Sequence, residues 1–390
     1  MDVEVLKQRV CDEIDRRAPE LVRISHEIHA HPELNFDEHF AHDLLASALE
    51  AEGLPTQRSA HGVATAFRAE AGAEGHRVAI LCEYDALPGL GHACGHNIIA
   101  AAGLGAGLAL AAVAREARGR VTILGTPAEE GGGGKIVLAE TGAFADIDAA
   151  MMVHPADADL RWMGSLALHE LDVWYQGQAA HAAAFPWEGR NALDAAVIGY
   201  TAVAALRQHI RPGERVHGVF TDGGEKANIV PRRASMQWLV RSPTVAGLEA
   251  LKQRVVACLQ AGADATGCTM GLKWSDVRYT EIRDNEPMVA AYVANAARLG
   301  RAVADPRDGQ SVVASTDMGN VSYLVPSIHP MIQVAPPGTP IHTPAFEGHA
   351  ASPAGDRAVI DGAKALAMTA VDLWNGDLLA RAREAFAQAG

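Results

Sequence analysis

The sequence predicts an α/β protein with a second, α+β unit set into it, and three observations carry that expectation. Apolar runs of strand length at 77–81, 120–126 and 149–153 alternate with helical stretches, the pattern of a sheet flanked by helices. Each run ends in a loop rich in ligand-type or acidic residues, where the strands of an α/β sheet open onto a crevice. After His154 the texture changes to alternating strands and two long helices, and the ligand-type residues resume only beyond the insert. The expected division is one discontinuous catalytic domain, 1–165 with 283–390, and an inserted domain, 166–282.

Taken in order, Val5, Leu6, Val10, Ile14, Leu21, Val22, Ile24 and Ile28 recur at helical spacing over 3–31, with a break expected near Pro19. His26, His29 and His31 beside Glu27 have the look of a metal cluster. Pro32 closes that helix, however, and a scaffold role is the better reading. A second helix is expected over 37–52, then strands over 63–69 and 77–81. The uncharged run 98–114 approaches the length of a membrane span. Its Ala and Gly content suits instead a helix packed tightly inside a sheet domain. Within the insert, 165–176 alternates as a strand, and a helix (191–209), strands (216–221, 234–241), a helix (245–261) and a strand (268–282) follow. A domain-covering helix is expected over 358–373.

The chemistry is concentrated at the strand ends. Cys94-Gly95-His96 sets a thiol and an imidazole two residues apart in a glycine-rich loop, a spacing that suits one soft or borderline metal ion. Glu129-Glu130 ends the next strand. Adjacent side chains on extended backbone point opposite ways, but the glycines that follow let the chain turn, so one carboxylate can bind metal while the other faces a reacting water. His154 ends the third strand, and His342 lies in a Pro-flanked loop far downstream. Asp85 has two readings: a carboxylate orienting a ligating imidazole, or a turn-former before Leu87-Pro88. The glycines before Lys135 suggest a phosphate loop, but Ile136 stands where Ser or Thr is needed and Glu129 stands where the upstream glycine should be.

In this order Cys94, His96, Glu129-Glu130, His154 and His342 resemble the five-ligand dimetal centre of metallopeptidase family 20, in its hippurate hydrolase and aminoacylase-like branch. The likeness extends to His31-Pro32-Glu33-Leu34, the stretch 177–196, Asn228-Ile229-Val230-Pro231 and the stretch 315–320, and so covers nearly the whole chain. It implies a dinuclear-metal aminopeptidase-like catalytic domain, a mixed central sheet flanked by helices, with the insert as lid and dimerisation domain. The implied reaction is metal-assisted hydrolysis of an amide bond by two divalent ions, zinc first, with manganese or cobalt as alternatives. Cys94, His96, Glu130, His154 and His342 would be the ligands and Glu129 the general base. His181 would stabilise the oxyanion at a partner's site, Asn228 and Arg241 would bind the substrate carboxylate, and Thr316 and Asp317 would border the pocket.

The sequence departs from the common pattern of that family. After Cys82, Glu83-Tyr84-Asp85 replaces Asp-Met-Asp, and Asn97 replaces the Asp after Cys-Gly-His. With the stretch 223–228, this variant is similar to the branch containing p-aminobenzoyl-glutamate hydrolase subunits and dipeptidases for basic or β-alanyl dipeptides. Trp174, Phe185 and Trp187 fit an aromatic acyl group or simple packing.

Composition narrows the classes further. A formal net charge of -14, with Lys+Arg 33 against Asp+Glu 47, offers no electrostatic source of affinity for nucleic acid. Five scattered cysteines suit a reducing compartment, and no export signal opens the chain, so the cytoplasm and no membrane association are expected. Two rival readings stand beside the enzyme: a binding protein for an amino-acid conjugate, and a purely structural metal site. The first has no need of Glu129, and two acids with one thiolate suit a closed structural zinc site poorly.

Overall fold

In the computed structural model, which describes residues 2–306 and 313–389, α1 (Val3–Ala30) is one continuous helix with Pro19 inside it. The break expected there does not occur. Pro19 and Asp15, the residue whose carbonyl loses its partner, both face solvent, so water can satisfy the freed group. Leu6, Val10, Ile14, Leu21, Ile24 and Ile28 meanwhile hold the opposite face in the core.

The chain continues through α2 (His39–Ala51), β1 (Thr56–Arg58), β2 (Phe67–Ala71), β3 (Arg77–Cys82), α3 (His96–Ala117), β4 (Arg120–Gly125), α4 (Gly134–Glu140), β5 (Ala149–Met151), β6 (His154–Ala156) and β7 (Gly164–Ser165). Next come β8 (Ala167–Gln176), α5 (Ala192–Leu206), β9 (Arg215–Asp222), β10 (Arg233–Ser242), α6 (Val245–Thr266) and β11 (Thr269–Tyr279). The remaining elements are α7 (Glu286–Arg298), β12 (Val313–Ala314), α8 (Met318–Ser322), β13 (Ser327–Ile328), β14 (Met331–Gln333), α9 (Pro344–Ala350), α10 (Pro353–Trp374) and α11 (Leu378–Ala389). Two units result, Met1–Gly164 with Ile282–Gly390, and Ser165–Glu281.

The first unit is built on a six-stranded mixed sheet in the order β1-β2-β4-β3-β5-β13, parallel from β4 through β13 and antiparallel at β1 and β2. This is the helix-flanked mixed sheet expected from the sequence. Every residue of β3 is buried, because alternate side chains enter different cores. Val78, Ile80 and Cys82 pack in the larger core with α1, α3 and α10, while Ala79 and Leu81 join Leu138, Phe144 and Val321 on the other face.

Small residues let α3 lie close against the sheet. A Cβ at Gly103 would meet Cys82 Sγ at 2.6 Å, and one at Gly107 would meet Ile123 Cγ1 at 2.4 Å. Among the described residues α3 is the one helix long and apolar enough to span a membrane, and 89% of its apolar window is buried inside the fold. Its N-terminus is thereby held at the carboxyl ends of β3 and β4, where the ligand loops lie.

The second unit is a four-stranded antiparallel sheet in the order β11-β8-β10-β9, with α5 and α6 packed against each other and against one face. Ala167, Leu171, Val173 and Tyr175 of β8 and Ala234, Met236, Trp238 and Val240 of β10 point into its core. Strand β9 is an edge, with Val219 and Phe220 exposed.

Candidate metal centre

Beyond β3 the chain runs through Glu83 and Asp85, two positions apart and on the same side of an extended segment. It then turns back to deliver Cys94 and His96. Gly95 between them has φ 78°, and a Cβ there would strike Pro155 Cγ at 2.8 Å, so glycine is required on both counts. His96, the first residue of α3, is fully buried, and its Nδ1 donates to Asp85 Oδ1 at 3.0 Å. In the neutral ring that bond fixes the tautomer whose Nε2 carries the lone pair, and Nε2 has no hydrogen-bond partner. In the metal-free protein burial disfavours the charged ring, but Asp85 and Cys94 outweigh it and hold His96 well above its usual value.

The loop after β4 is held by three carboxylates. Glu38 Oε1 accepts the N–H of Ala128 at 2.8 Å, Asp85 Oδ2 accepts that of Glu130 at 2.9 Å, and Asp317 Oδ2 accepts that of Lys135 at 2.8 Å. Ala128 sits at φ 57°, a left-handed conformation costly for a residue with a side chain. Held in this way, the loop directs Glu129 and Glu130 toward His96 Nε2, at 3.9 and 3.8 Å.

His154 Nδ1 donates to the carbonyl of Pro155 at 2.7 Å, and its Nε2 lies 3.4 Å from Cys94 Sγ. His342, at φ 62° with its N–H on the Ala93 carbonyl, brings Nε2 to 3.4 Å from Glu130 Oε1. Three sets of donor atoms each fall within 4.8 Å of one another: Cys94, His96 and His154; Cys94, Glu130 and His342; and His96, Glu129 and Glu130. Cys94, His96 and Glu130 each belong to two sets. A thiol, three imidazoles and two acids, with His96 Nε2 buried and lacking a hydrogen-bond partner, fit a dinuclear site for borderline divalent ions.

Burial and neighbouring charges set the protonation of the donors. Burial, with the negative charges of Glu83, Glu130 and Asp317, drives Glu129 well above the ordinary carboxyl range. Burial opposes ionisation of Glu130 too, but a hydrogen bond from His342 and the charges of His96 and His342 outweigh it and leave this carboxyl below its usual value. Burial pushes His154 down to about 4, so near neutrality it is the neutral imidazole that metals bind. Burial, reinforced by Glu130, raises the Cys94 thiol well above its usual range.

Other residues singled out in the sequence fall elsewhere. Asp317, expected at the substrate pocket, is fully buried and gives both oxygens to Lys135, Oδ2 to its N–H and Oδ1 to its Nζ at 2.6 Å. Thr316 Oγ1 accepts the N–H of Met318. His29 Nε2 meets the carbonyl and carboxylate of Glu347, and His26 pairs with Asp356, as scaffold histidines would. On the second unit, His181 pairs across a β-bridge with Ile229, beside Asn228, whose carbonyl accepts the N–H of Ala182. Arg241 lies on β10 opposite Arg215 and Leu168, half-buried, with Nε lacking a hydrogen-bond partner.

Sequence reasoning missed Glu38, Glu83 and the partners of Lys135. Glu83 carried a usable signal, since a residue two before Asp85 on an extended chain shares its side. The amine of Lys135, beside Glu83 and Asp317, is fully buried and so unavailable to a phosphate.

A helix-flanked mixed sheet with such a centre at its strand ends defines a class of metal-dependent hydrolase. The model of peptidase family M20/M25/M40 matches residues 79–370, and the chain belongs to that family, whose members act on amide bonds. More particularly, the chain is 41% identical to the Xaa-Arg dipeptidase of Mus musculus, over 95% of this chain and 90% of that protein. It is 34% identical to one of the p-aminobenzoyl-glutamate hydrolase subunits of Escherichia coli (strain K12), over 67% of this chain and 59% of that one. Among solved structures, the YXEP protein of Bacillus subtilis, a dinuclear metal-binding peptidase from the M20 family, matches with a TM-score of 0.70. That match has 21% identity and covers 92% of this chain and 99% of the other.

Proposed function

We propose that this chain is a cytoplasmic, homodimeric dipeptidase that acts first on dipeptides with a basic C-terminal residue. Conjugates such as p-aminobenzoyl-glutamate are its second substrate class. The observation that carries the reading is the convergence of six donor side chains on one site, with His342 at its exposed side and Glu129 left without a hydrogen bond of its own. The likeness to the mouse dipeptidase, over nearly the whole chain, supports the order of substrates. Five free cysteines support the compartment.

Cys94, His96, Glu130, His154 and His342 would hold two divalent ions, zinc first, with manganese or cobalt as alternatives. Such ions, when bound, acidify water toward a pKa of about 7 and polarise a carbonyl. Glu129 takes the proton from the attacking water and returns it to the leaving amine. His181 donates a hydrogen bond to the oxygen that gains charge. Asn228 and the planar fork of Arg241 hold the substrate carboxylate.

The positions of these last residues support the dimer reading. His181 and Asn228 sit near the end of the sheet where Gly177 N–H meets the Arg232 carbonyl. Arg241 lies eight residues along β10 from Arg233, about 26 Å away at 3.3 Å per residue. One insert does not bring all three to a single amide, so in this reading His181 and Asn228 would serve the site of a second copy. Exposed Val219 and Phe220 on edge strand β9, with Val197 and Ile198 on α5, supply apolar surface for such pairing.

The test is release of amine from β-alanyl-lysine, an Xaa-Arg dipeptide and p-aminobenzoyl-glutamate under added zinc, manganese or cobalt. A metal count and a sedimentation measurement accompany it. Two metals per chain with chelator-sensitive turnover of the basic dipeptides is the expected result. Metal without turnover on any of the three would sink the substrate assignment.

A further inference from the structure

Lys135 is a buried ammonium that the hydrolytic scheme does not use. Its Nζ lies 2.5 Å from Glu83 Oε1 and 2.6 Å from Asp317 Oδ1, and all three side chains are fully buried. Such a group is costly to desolvate, so three of them together at a pocket call for a role. Each is tied to the centre. Glu83 Oε2 stands 3.5 Å from His96 Nε2, and Asp317 accepts the Lys135 N–H in the first turn of α4, directly after the glycines that follow Glu129 and Glu130.

Four consecutive glycines have no stiffness of their own. Upstream the loop is fastened through Ala128 to Glu38 and through Glu130 to Asp85. Downstream, Lys135 is the first residue with a side chain, and it grips Asp317 through both backbone and ammonium. Glu129, between the fastened positions, makes no hydrogen bond that would hold it in place.

We infer that Lys135 is a positioning residue for Glu129: clamped between Glu83 and Asp317, its ammonium fastens the downstream end of the glycine loop and so sets where the Glu129 carboxylate stands. This rests on the amidohydrolase reading. It also separates Lys135 from a plain stabilising role in two measurable ways. Lys135 acts on turnover only through Glu129, and as a cation beside the ligands it opposes metal binding instead of aiding it.

The experiment compares wild type, Lys135→Met, Glu129→Gln and the double variant. Lys135→Met is expected to lower kcat about a hundredfold, as for a misplacement of the order of 1 Å, with KM changed less than about threefold. In the Glu129→Gln background the same substitution is expected to cost less than about twofold more. Chelator competition is expected to show two metals held as tightly as in wild type or more so.

Multiplying losses in the double variant, or metal lost from Lys135→Met, would overturn the inference, the second whatever the wild type hydrolyses. A wild type that holds two metals and cleaves no amide would instead overturn the amidohydrolase reading and this role with it. Should Lys135→Met not fold, Lys135→Met/Asp317→Asn keeps the net charge of the triad. It is expected to fold with the same low kcat, and wild-type kcat in that variant would overturn the inference.

Discussion

Asp85 joins the two halves of the centre: Oδ1 accepts the Nδ1–H of His96 at 3.0 Å, and Oδ2 accepts the N–H of Glu130 at 2.9 Å. One buried carboxylate thus orients the imidazole at the start of α3 and the loop at the end of β4. Burial disfavours its charge, yet His96 and the Glu130 N–H more than compensate, and its carboxyl stays below the ordinary range. Asp85→Ala is therefore expected to weaken metal binding by about 10- to 100-fold, measured by competition with a chromophoric chelator. Unchanged affinity would mean that packing alone orients His96.

Glu129 and Glu130 are neighbours in sequence with different surroundings. Glu130 faces His342 and His96, and its N–H is held by Asp85, whereas Glu129 faces the negative charges of Glu83 and Asp317. Bound cations would reverse the penalty on Glu129 and free it to accept a proton. Glu129→Gln is expected to keep the metal stoichiometry of wild type and lose at least about a hundredfold in kcat. More than about a hundredth of wild-type turnover in that variant would remove Glu129 from the base role.

The ligand residues were legible because each follows an apolar run of strand length or lies in a Pro-flanked loop, although His96 opens α3 and His154 opens β6 instead of ending a strand. What lay between them was less so. Lys135 stood out, but its partner Asp317 is 182 residues away, and no local pattern links them. Asp317 itself was expected to border the pocket because the stretch 315–320 resembles a family signature there, and a motif match does not distinguish a pocket wall from a buried anchor. The break expected at Pro19 failed because a proline is tolerated inside a helix where the orphaned carbonyl reaches water, and Asp15 and Pro19 both lie off the apolar stripe. The opposite ends occupied by His181 and Arg241 became visible only once the register of β8 against β10 was known.

Glu38 gives the metal-free protein a distinctive pH dependence. Burial pushes its carboxyl up to about 7 from 4.5, against the hydrogen bonds it accepts from Thr65 and Ala128. Between these values the folded state keeps a proton that the unfolded state has released, so stability falls as pH rises from about 4.5 to 7. The fall amounts to about 3 kcal/mol at most. Glu38→Gln retains an oxygen for the Ala128 N–H and an amide to donate to Thr65 Oγ1, and removes the titration. Its stability relative to wild type is expected to rise between pH 5 and pH 8 in urea unfolding of metal-free protein. A difference that stays flat with pH would show that Glu38 is ionised in the fold.

His181 and Arg241 occupy opposite ends of one sheet, so the dimer reading makes a demand that single variants cannot test. Take one chain carrying His181→Ala and another carrying Glu129→Gln, each nearly inactive alone. If His181 serves its partner, a mixed dimer has one site with neither defect, the one whose own chain keeps Glu129 and whose neighbour keeps His181. The other site carries both defects. Random pairing of equal amounts makes half the dimers mixed, so activity is expected to recover to about a quarter of wild type after the two variants are unfolded and refolded together. If His181 serves its own chain, every site in the mixture keeps one defect and no activity returns. Metal content is expected to be the same in both variants, because neither His181 nor Glu129 is a ligand, and the recovery then reports where His181 acts and nothing else.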